Sequence, residues 1–294
     1  MRLPIVIIAL MLGTTGCAAL GDDDTSSSSI KVAAAFYPLQ YVAQRVAGNL
    51  ADVENLTTPG KEPHDLEPTI KETAIVAEAD LVIHERGLQP AIDDAIAQNA
   101  VGEIIDAAAV VDLEPVVSGT DGDVDPHFWL DPVRMADLGD AVADALADID
   151  PGNAADYAAN AASLRADLEA LDAQFVDGLD DCARHTIVVS HDAFGYFAKY
   201  GVEVAPVAGL SPDAEPTPAD LAELQQLIAD DGITTVFGER LAPPRLTATL
   251  ADDMGVKTAI LDPLEGLTDQ TADDDYLSLM EQNLTALEEA NGCR

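Results

Sequence analysis

The chain has 294 residues, which is enough for two α/β domains or one large domain. Its hydrophobic content of 48% excludes wholesale disorder, because such a chain can bury a substantial core. It carries 14 basic and 54 acidic residues, for a formal net charge of −40, and a surface this acidic repels nucleic acid. The charge would attract cations, but it also favours solubility in high salt, so alone it does not indicate a metal site.

The N-terminus has the pattern of an export signal. Residues 1–16 combine a basic residue, a short apolar run and a small-residue end, and the run is too short for a permanent membrane span. The run leads to Cys17 in a sequence that resembles a bacterial lipobox, although Thr14 stands where Leu is usual. We predict a signal peptide at 1–16, then a lipidated cysteine and flexible polar tether at 17–29, with cleavage without lipidation as the alternative.

Short apolar runs alternate with helical patterns in the first part of the mature chain. The predicted strands lie at 31–36, 52–57, 80–83 and 102–106, and the predicted helices at 38–47, from 68, and at 90–97. This alternation predicts a parallel sheet covered by helices on both faces. Ligands of such sheets bind at the carboxyl ends of the strands, which is where His64 lies.

A long helical region separates two such units. A helix is predicted from Pro132 to about Ile149, and a second, longer helix follows the break after it. The second helix has a one-sided apolar stripe from Tyr157 to Leu179, with apolar residues spaced by threes and fours. We therefore predict an α/β fold of two lobes, at 30–150 and 182–294, joined by one rigid helix at 151–181.

The second lobe repeats the alternation of strands and helices. Its predicted strands lie at 186–189, 202–207, 233–237 and 256–261, and its predicted helices at 218–229, 244–254 and 273–290. Asp192 is predicted to cap a further helix that carries Phe194, Tyr196 and Phe197. The two lobes show no obvious residue-level repeat, so the repetition is one of architecture.

Two cysteines remain in the mature chain besides Cys17. Because an exported chain with two cysteines can form a disulfide, we predict that Cys182 and Cys293 pair and tie the C-terminal tail to the second lobe. The alternative is a thiolate metal site with the nearby His185, which would need more cysteines or another histidine.

Three of the five histidines lie in similar loop contexts. His127 lies in a segment, 125–132, whose two prolines exclude the interior of a regular helix and stiffen the loop. A lone histidine in such a setting is commonly a surface or core residue. Together, however, His64, His127, His191 and Asp262 would form a four-ligand site for a borderline cation such as Zn²⁺. Mn²⁺ would also fit if the carboxylate bound through both oxygens.

Several longer motifs carry a family resemblance. They are Glu62-Pro63-His64-Asp65-Leu66-Glu67-Pro68-Thr69, Asp125-Pro126-His127-Phe128-Trp129-Leu130-Asp131-Pro132, Ser190-His191-Asp192-Ala193-Phe194-Gly195-Tyr196-Phe197, and the segments 210–218 and 261–264. In this order, and over essentially the whole mature chain, they resemble the substrate-binding lipoproteins of bacterial-type ABC importers for zinc and manganese. The resemblance implies two α/β lobes joined by one long helix, with a metal site in the cleft between the lobes. It also implies His64, His127, His191 and Asp262 as the metal ligands.

The resemblance also implies a biological setting. The expected partners are an ABC permease and its ATPase, and the expected location is extracytoplasmic, with a lipid anchor to the cell membrane at Cys17. We expect a monomer without catalytic activity and without affinity for nucleic acid. Manganese members usually have Glu where His191 stands, so the histidine favours zinc over manganese.

The chain departs from the family pattern at two places. Many zinc-specific members carry a His-rich acidic loop, whereas residues 112–124 here are acidic but contain no histidine. Glu85-Arg86 stands where the family usually has Asn-Gly. His84 and His185 match no ligand position, and we interpret both as structural.

Two other classes of protein remain as alternatives. An exported zinc hydrolase would need an open coordination position and a general base, for which Glu62 or Glu239 could serve. In a carrier, Glu239 could instead orient an imidazole, and Glu62 could be an alternative oxygen ligand. A surface adhesin is the third class, and it is compatible with a carrier role.

Overall fold

The computed structural model describes residues 29–116 and 124–294. The predicted signal peptide, the lipobox cysteine Cys17 and nearly all of the tether lie outside these ranges, as do residues 117–123 of the acidic loop. Within the described ranges, no helix is both long enough and apolar enough to cross a membrane.

The first lobe is built on a parallel four-stranded sheet. Its elements are β1 (Ile30–Ala34), α1 (Tyr37–Ala47), β2 (Ala51–Asn55), α2 (Ile70–Glu78), β3 (Leu81–His84), α3 (Pro90–Asn99), β4 (Glu103–Asp106) and α4 (Ala107–Val110). The strand order is β2-β1-β3-β4, and every pairing is parallel. All four residues of β3 are buried, as expected for a strand covered by helices on both faces. The predicted parallel sheet is therefore confirmed.

The long helix predicted between the lobes is present. It is α6 (Ala154–Leu179), and it follows α5 (Pro132–Ile149) after a short 3-10 turn at Pro151–Asn153. Its 26 residues span about 39 Å, and its buried residues are the members of the predicted stripe. Because α6 packs on α1 and α5 and also on the C-terminal helix α9 (Tyr276–Asn291), it contacts both lobes along its length.

The second lobe repeats the topology of the first. Its other elements are β5 (Thr186–Val189), β6 (Glu203–Pro206), α7 (Pro218–Asp230), β7 (Thr235–Gly238), α8 (Arg245–Met254) and β8 (Lys257–Ile260). The strand order is β6-β5-β7-β8, again with parallel pairings only. In both sheets, the first strand of the lobe therefore lies between the second and the third, and the fourth lies beyond the third. The carboxyl ends of the strands in each lobe provide the loops that carry the candidate site.

One predicted helix cap is wrong. The segment after His191 does form a helix, but it is a 3-10 helix, Gly195–Tyr200, and its N-cap residue is Phe194 rather than the predicted Asp192. The aromatic spacing explains the difference, because residues three apart share one face of a 3-10 helix. Phe197 has its ring centroid 5.7 Å from that of Phe194 and 6.2 Å from that of Tyr200, and the rings of Phe197 and Tyr200 pack on Phe175 of α6 at 5.4 and 5.2 Å.

The predicted disulfide between Cys182 and Cys293 is present. Backbone hydrogen bonds run alongside it: Arg184 N–H donates to Asn291 O at 3.1 Å, and Arg294 N–H donates to Asp181 O at 3.1 Å. The C-terminal tail is thus tied to the segment between α6 and β5, and the alternative of a thiolate metal site at these cysteines is excluded.

Candidate metal centre

The structure brings the three predicted histidines together with a glutamate. His64 lies in the loop after β2 and His127 precedes a 3-10 turn at Phe128–Leu130, whereas His191 follows β5 and Glu265 follows β8. One potential ligand atom from each residue lies within 4.8 Å of the others. The group therefore combines two side chains from the first half of the chain with two from the second lobe.

The atoms of this group point at a common centre. Oε1 of Glu265 lies 3.2 Å from Nε2 of His64, 3.5 Å from Nε2 of His127 and 3.4 Å from Nε2 of His191. Within the described residues, Nε2 of His127, Nε2 of His191 and Oε2 of Glu265 are buried and lack a hydrogen-bond partner. Buried polar atoms without partners are costly, and a cation at the centre would satisfy them together.

His127 is fixed by its own loop, as its proline-rich sequence predicts. Its Nδ1 lies 2.7 Å from Oδ1 of Asp125, which also accepts the His127 backbone N–H at 3.0 Å. Trp129 is fully buried, and its indole N–H donates to the carbonyl of Pro263 at 2.7 Å. The loop is thereby anchored both in the core and to the segment that carries Glu265.

His191 has an equivalent anchor in the second lobe. Its Nδ1 lies 2.5 Å from Oε1 of Glu239, and the Ser190 hydroxyl donates to the same oxygen. A carboxylate that accepts the Nδ1–H fixes the tautomer and leaves the Nε2 lone pair free for a metal. Glu239 thus occupies the position that the sequence suggested for a residue that orients an imidazole.

His64 lies closest to solvent. Its side chain is 11% exposed, whereas those of His127 and His191 are 0% exposed. Glu62 accepts the His64 backbone N–H at 2.9 Å, and its carboxylate lies 4.0 Å from Nε2 of His64. Glu62 therefore shapes the His64 loop and is outside the four-residue group.

The charges of the group are strongly coupled. Burial would raise the pKa of Glu265, but the nearby imidazoles of His127, His191 and His64, with Nε2 atoms 3.2–3.5 Å from Oε1 of Glu265, hold that pKa well below its usual range. Burial would lower the pKa of His191, but the hydrogen bond to Glu239 and the nearby Glu265 carboxylate outweigh it and raise the pKa to about 10. The pKa of His127 is raised in the same way, against burial, by Asp125 and Glu265. Without a cation His191 thus holds a proton that a metal would have to displace.

The predicted fourth ligand, Asp262, does not lie in this group, and Glu265 takes its place. Oδ2 of Asp262 accepts a hydrogen bond from Arg240 Nε at 2.9 Å, and its Oδ1 accepts the Leu264 N–H at 2.9 Å. Both oxygens are thus engaged within the second lobe. The sequence contained a signal for this arrangement, because Asp before Pro commonly accepts a hydrogen bond from the backbone two residues on, within a turn.

The other two histidines lie outside the group. Nδ1 of His84 is 2.8 Å from Oδ1 of Asp93, in the first lobe. His185 precedes β5, and its carbonyl accepts the Glu203 N–H at 2.8 Å.

Two parallel α/β lobes with a cluster of metal-ligand type between them define a bilobed solute-binding protein. Residues 32–290 match the family model described as "Zinc-uptake complex component A periplasmic", ZnuA. The chain therefore belongs to this family, as its motifs indicated.

Named relatives extend over most of the chain. It is 34% identical over 289 residues to the "Zinc-binding lipoprotein AdcA" of Streptococcus pneumoniae serotype 4, covering 92% of this chain and 58% of that protein. Over an alignment of 310 positions it is 30% identical to the "High-affinity zinc uptake system protein ZnuA" of Bacillus subtilis, covering 97% of this chain and 96% of that protein. The chain thus spans little more than half of the AdcA relative but nearly all of the ZnuA relative.

Solved structures share the fold. The Zn(II)-bound ZnuA-like domain of Streptococcus pneumoniae AdcA is 33% identical, with a TM-score of 0.77, and the match covers 90% of this chain and 99% of that one. The laminin-binding protein Lmb of Streptococcus agalactiae, described as bifunctional "with adhesin and metal transporting activity", is 27% identical, with a TM-score of 0.81 and coverage of 89% and 99%.

Proposed function

We propose that this protein binds one Zn²⁺ ion between its lobes, outside the cytoplasm, and delivers it to an ABC importer. The observation that carries the proposal is the convergence of His64, His127, His191 and Glu265 within 4.8 Å. Three imidazole nitrogens and one carboxylate oxygen form a tetrahedral donor set typical of Zn²⁺, with ligand distances of about 2.0–2.2 Å.

The donor set favours a carrier over a hydrolase. Catalytic zinc sites keep one position for water, whereas four protein ligands would leave none. The two candidate general bases are also engaged, since Glu62 accepts the His64 backbone N–H and Glu239 accepts hydrogen bonds from His191 and Ser190. We therefore propose a binding protein without catalytic activity.

The same donor set favours zinc over manganese as cargo. Mn²⁺ prefers sites rich in oxygen, whereas three of the four donors here are nitrogens. Relatives with zinc in their names, including a Zn(II)-bound structure, support the same choice.

The setting follows from the predicted N-terminus. We propose that residues 1–16 direct export, that Cys17 is lipidated and that residues up to 29 tether the protein to the membrane. The lobes 30–150 and 182–294 would then close around the metal, with 151–181 as the strut, and a monomer would dock on a permease that works with an ATPase. The disulfide supports an oxidising location, and the name lipoprotein of the AdcA relative supports the anchor.

A competitive titration tests the proposed function. Zn²⁺ and Mn²⁺ are titrated into the metal-stripped mature protein, the His127→Ala variant and the His84→Ala control. We expect one tightly bound Zn²⁺ per chain that outcompetes Mn²⁺, with binding at least about 100-fold weaker in His127→Ala and unchanged in His84→Ala. Failure of the wild-type protein to bind either cation would refute the proposal, and comparable affinities would refute the preference for zinc.

A further inference from the structure

The turn that delivers Glu265 has an unusual backbone. Leu264 has a φ of 59°, and among the described residues it is the only non-glycine residue with a positive φ. A branched residue in the left-handed region is strained, and such strain persists only where the surroundings hold it. Leu264 is fully buried, so its own packing holds part of the turn.

Asp262 closes this turn. Its Oδ1 accepts the Leu264 N–H at 2.9 Å, across two residues, which is the hydrogen bond of an Asx-type turn. The carboxylate thus acts on the residue that immediately precedes Glu265. A loss of this acceptor would release the backbone from which the Glu265 side chain extends.

Asp262 is itself held from two other elements. Oδ2 accepts a hydrogen bond from Arg240 Nε at 2.9 Å, in the loop after β7. Asn283 of α9 holds the backbone on both sides, since Oδ1 of Asn283 accepts the Asp262 N–H at 2.8 Å and its Nδ2 donates to the Asp262 carbonyl at 2.6 Å. Asp262 therefore fixes the turn relative to the loop after β7 and to α9.

The turn is also held by a hydrogen bond from the loop that carries His127. The Pro263 carbonyl accepts the Trp129 indole N–H, and Trp129 lies two residues after His127. Arg240 follows Glu239, which orients His191. The residues that hold the turn before Glu265 therefore lie next in sequence to, or within two residues of, His127 and the Glu239 that orients His191.

We propose that Asp262 is a positioning residue for the metal site. Held by Arg240 and Asn283, it maintains the left-handed turn at Leu264 and thereby aims the Glu265 carboxylate at the three histidines, without contacting the metal. This inference rests on the proposed metal-binding function, and it assigns Asp262 a role other than the ligand that the sequence suggested.

A double-mutant cycle tests the role of Asp262. Zinc affinity is measured by competition with a chromophoric chelator in the full mature protein and in the variants Asp262→Ala, Glu265→Ala and the combination of both. We expect Asp262→Ala to weaken zinc binding about 10- to 100-fold. In the Glu265→Ala background, the same substitution should change the affinity by less than about threefold, because its effect passes through Glu265.

The non-additivity separates positioning from the two other roles. A ligand aspartate, or one that merely stabilises the lobe, would weaken binding further in the Glu265→Ala background, and a further tenfold loss would overturn the inference. A zinc affinity of Asp262→Ala equal to that of the wild type would also overturn the inference. A wild-type protein that binds no zinc would instead refute the proposed function, and this inference with it.

A second variant keeps the test decisive if Asp262→Ala folds poorly. Arg240→Ala removes the ion pair from a side chain that is partly exposed, and Arg165→Ala, which breaks the surface ion pairs with Asp137 and Asp140, is its matched control. We expect Arg240→Ala to weaken zinc binding several-fold only when Glu265 is present, and Arg165→Ala to leave it unchanged. Equal affinities of the two arginine variants would contradict the inference.

Discussion

The two lobes share a strand order but use equivalent positions differently. The third strand of each sheet, β3 or β7, is followed directly by a buried glutamate, Glu85 in the first lobe and Glu239 in the second. Glu239 accepts hydrogen bonds from His191 and Ser190. Neither carboxylate oxygen of Glu85 has a hydrogen-bond partner among the described residues.

The difference originates on the neighbouring strands. Two residues beyond the end of β5 stands His191, which meets Glu239, whereas two residues beyond the end of β1 stands Phe36, which packs on Trp129 with ring centroids 4.8 Å apart. Glu85 instead lies near other carboxylates, and burial, together with the charges of Asp125 and Asp106, raises its pKa well above the usual range. The strand-end glutamate of the second lobe thus holds an imidazole of the candidate site, whereas that of the first lobe has no such partner among the described residues.

The largest expected effect comes from making the second lobe resemble the first. His191→Phe replaces the imidazole with the residue type found at the equivalent position, Phe36. We expect zinc affinity to fall more than about 100-fold, because a primary ligand is lost and Glu239 keeps only the Ser190 hydroxyl as a partner. Chelator competition measures the loss, and thermal unfolding of the metal-free variant confirms that it is folded. A loss below about tenfold would show that His191 is not a ligand.

The two glutamates should differ in their effect on metal binding. Glu239→Ala removes the acceptor that fixes the His191 tautomer, so we expect zinc binding about 10- to 100-fold weaker. Glu85→Ala is the matched control at the equivalent position and should leave zinc affinity unchanged. Isothermal titration of zinc into both variants measures the difference. An equal loss of affinity in the two variants would contradict the different roles assigned to Glu239 and Glu85.

The proton on His191 should make zinc binding depend on pH. Its pKa in the metal-free protein is raised from 6.5 to about 10, so protonation stabilises that protein below about pH 6.5, and this contribution is lost as the pH rises toward 10. Zinc must displace the proton, so the apparent zinc affinity should increase as the pH rises through this window. Calorimetry in buffers of different ionisation enthalpy should record proton release. An affinity that is independent of pH would contradict the charge assignment.

Glu85→Gln is expected to change the stability of the protein rather than its metal binding, and is the smallest of these effects on the site. Because the pKa of Glu85 is raised, the folded protein retains a proton that the unfolded chain releases above about pH 4.5, and stability is lost as the pH rises. The amide avoids this loss, so we expect Glu85→Gln to unfold with about 1–3 kcal/mol more free energy near neutral pH and with no gain below about pH 4. Urea unfolding at both pH values checks this, and a stability loss near neutral pH would indicate an ionised, hydrogen-bonded Glu85.

The fold could be predicted from the sequence because local patterns encode it. Buried parallel strands appear as apolar runs, and the long helix appears as the stripe from Tyr157 to Leu179. The three histidines could be selected because each follows a strand or a proline in a distinctive motif. These features depend on a few neighbouring residues, and the structure confirms the resulting elements and brings the histidines together.

The fourth member of the cluster could not be selected in the same way. Asp262 and Glu265 lie three residues apart in one loop, and the choice between them depends on Arg240, Asn283 and the left-handed turn at Leu264. Those contacts join elements that are 21 or more residues apart. The 3-10 form and the cap of the helix after His191 could not be predicted for a related reason, since the rings of Phe197 and Tyr200 pack on Phe175 of α6, which is distant in sequence.

X-ray absorption at the zinc K-edge tests the ligand set most directly. The wild-type protein loaded with one Zn²⁺ should show three imidazoles and one carboxylate oxygen at about 2.0–2.2 Å. Glu265→Ala should lose the carboxylate contribution and retain the imidazole scattering of all three histidines, whereas Asp262→Ala should retain four donors of the wild-type kinds. An imidazole count other than three, or a spectrum unchanged by Glu265→Ala, would contradict the site described here.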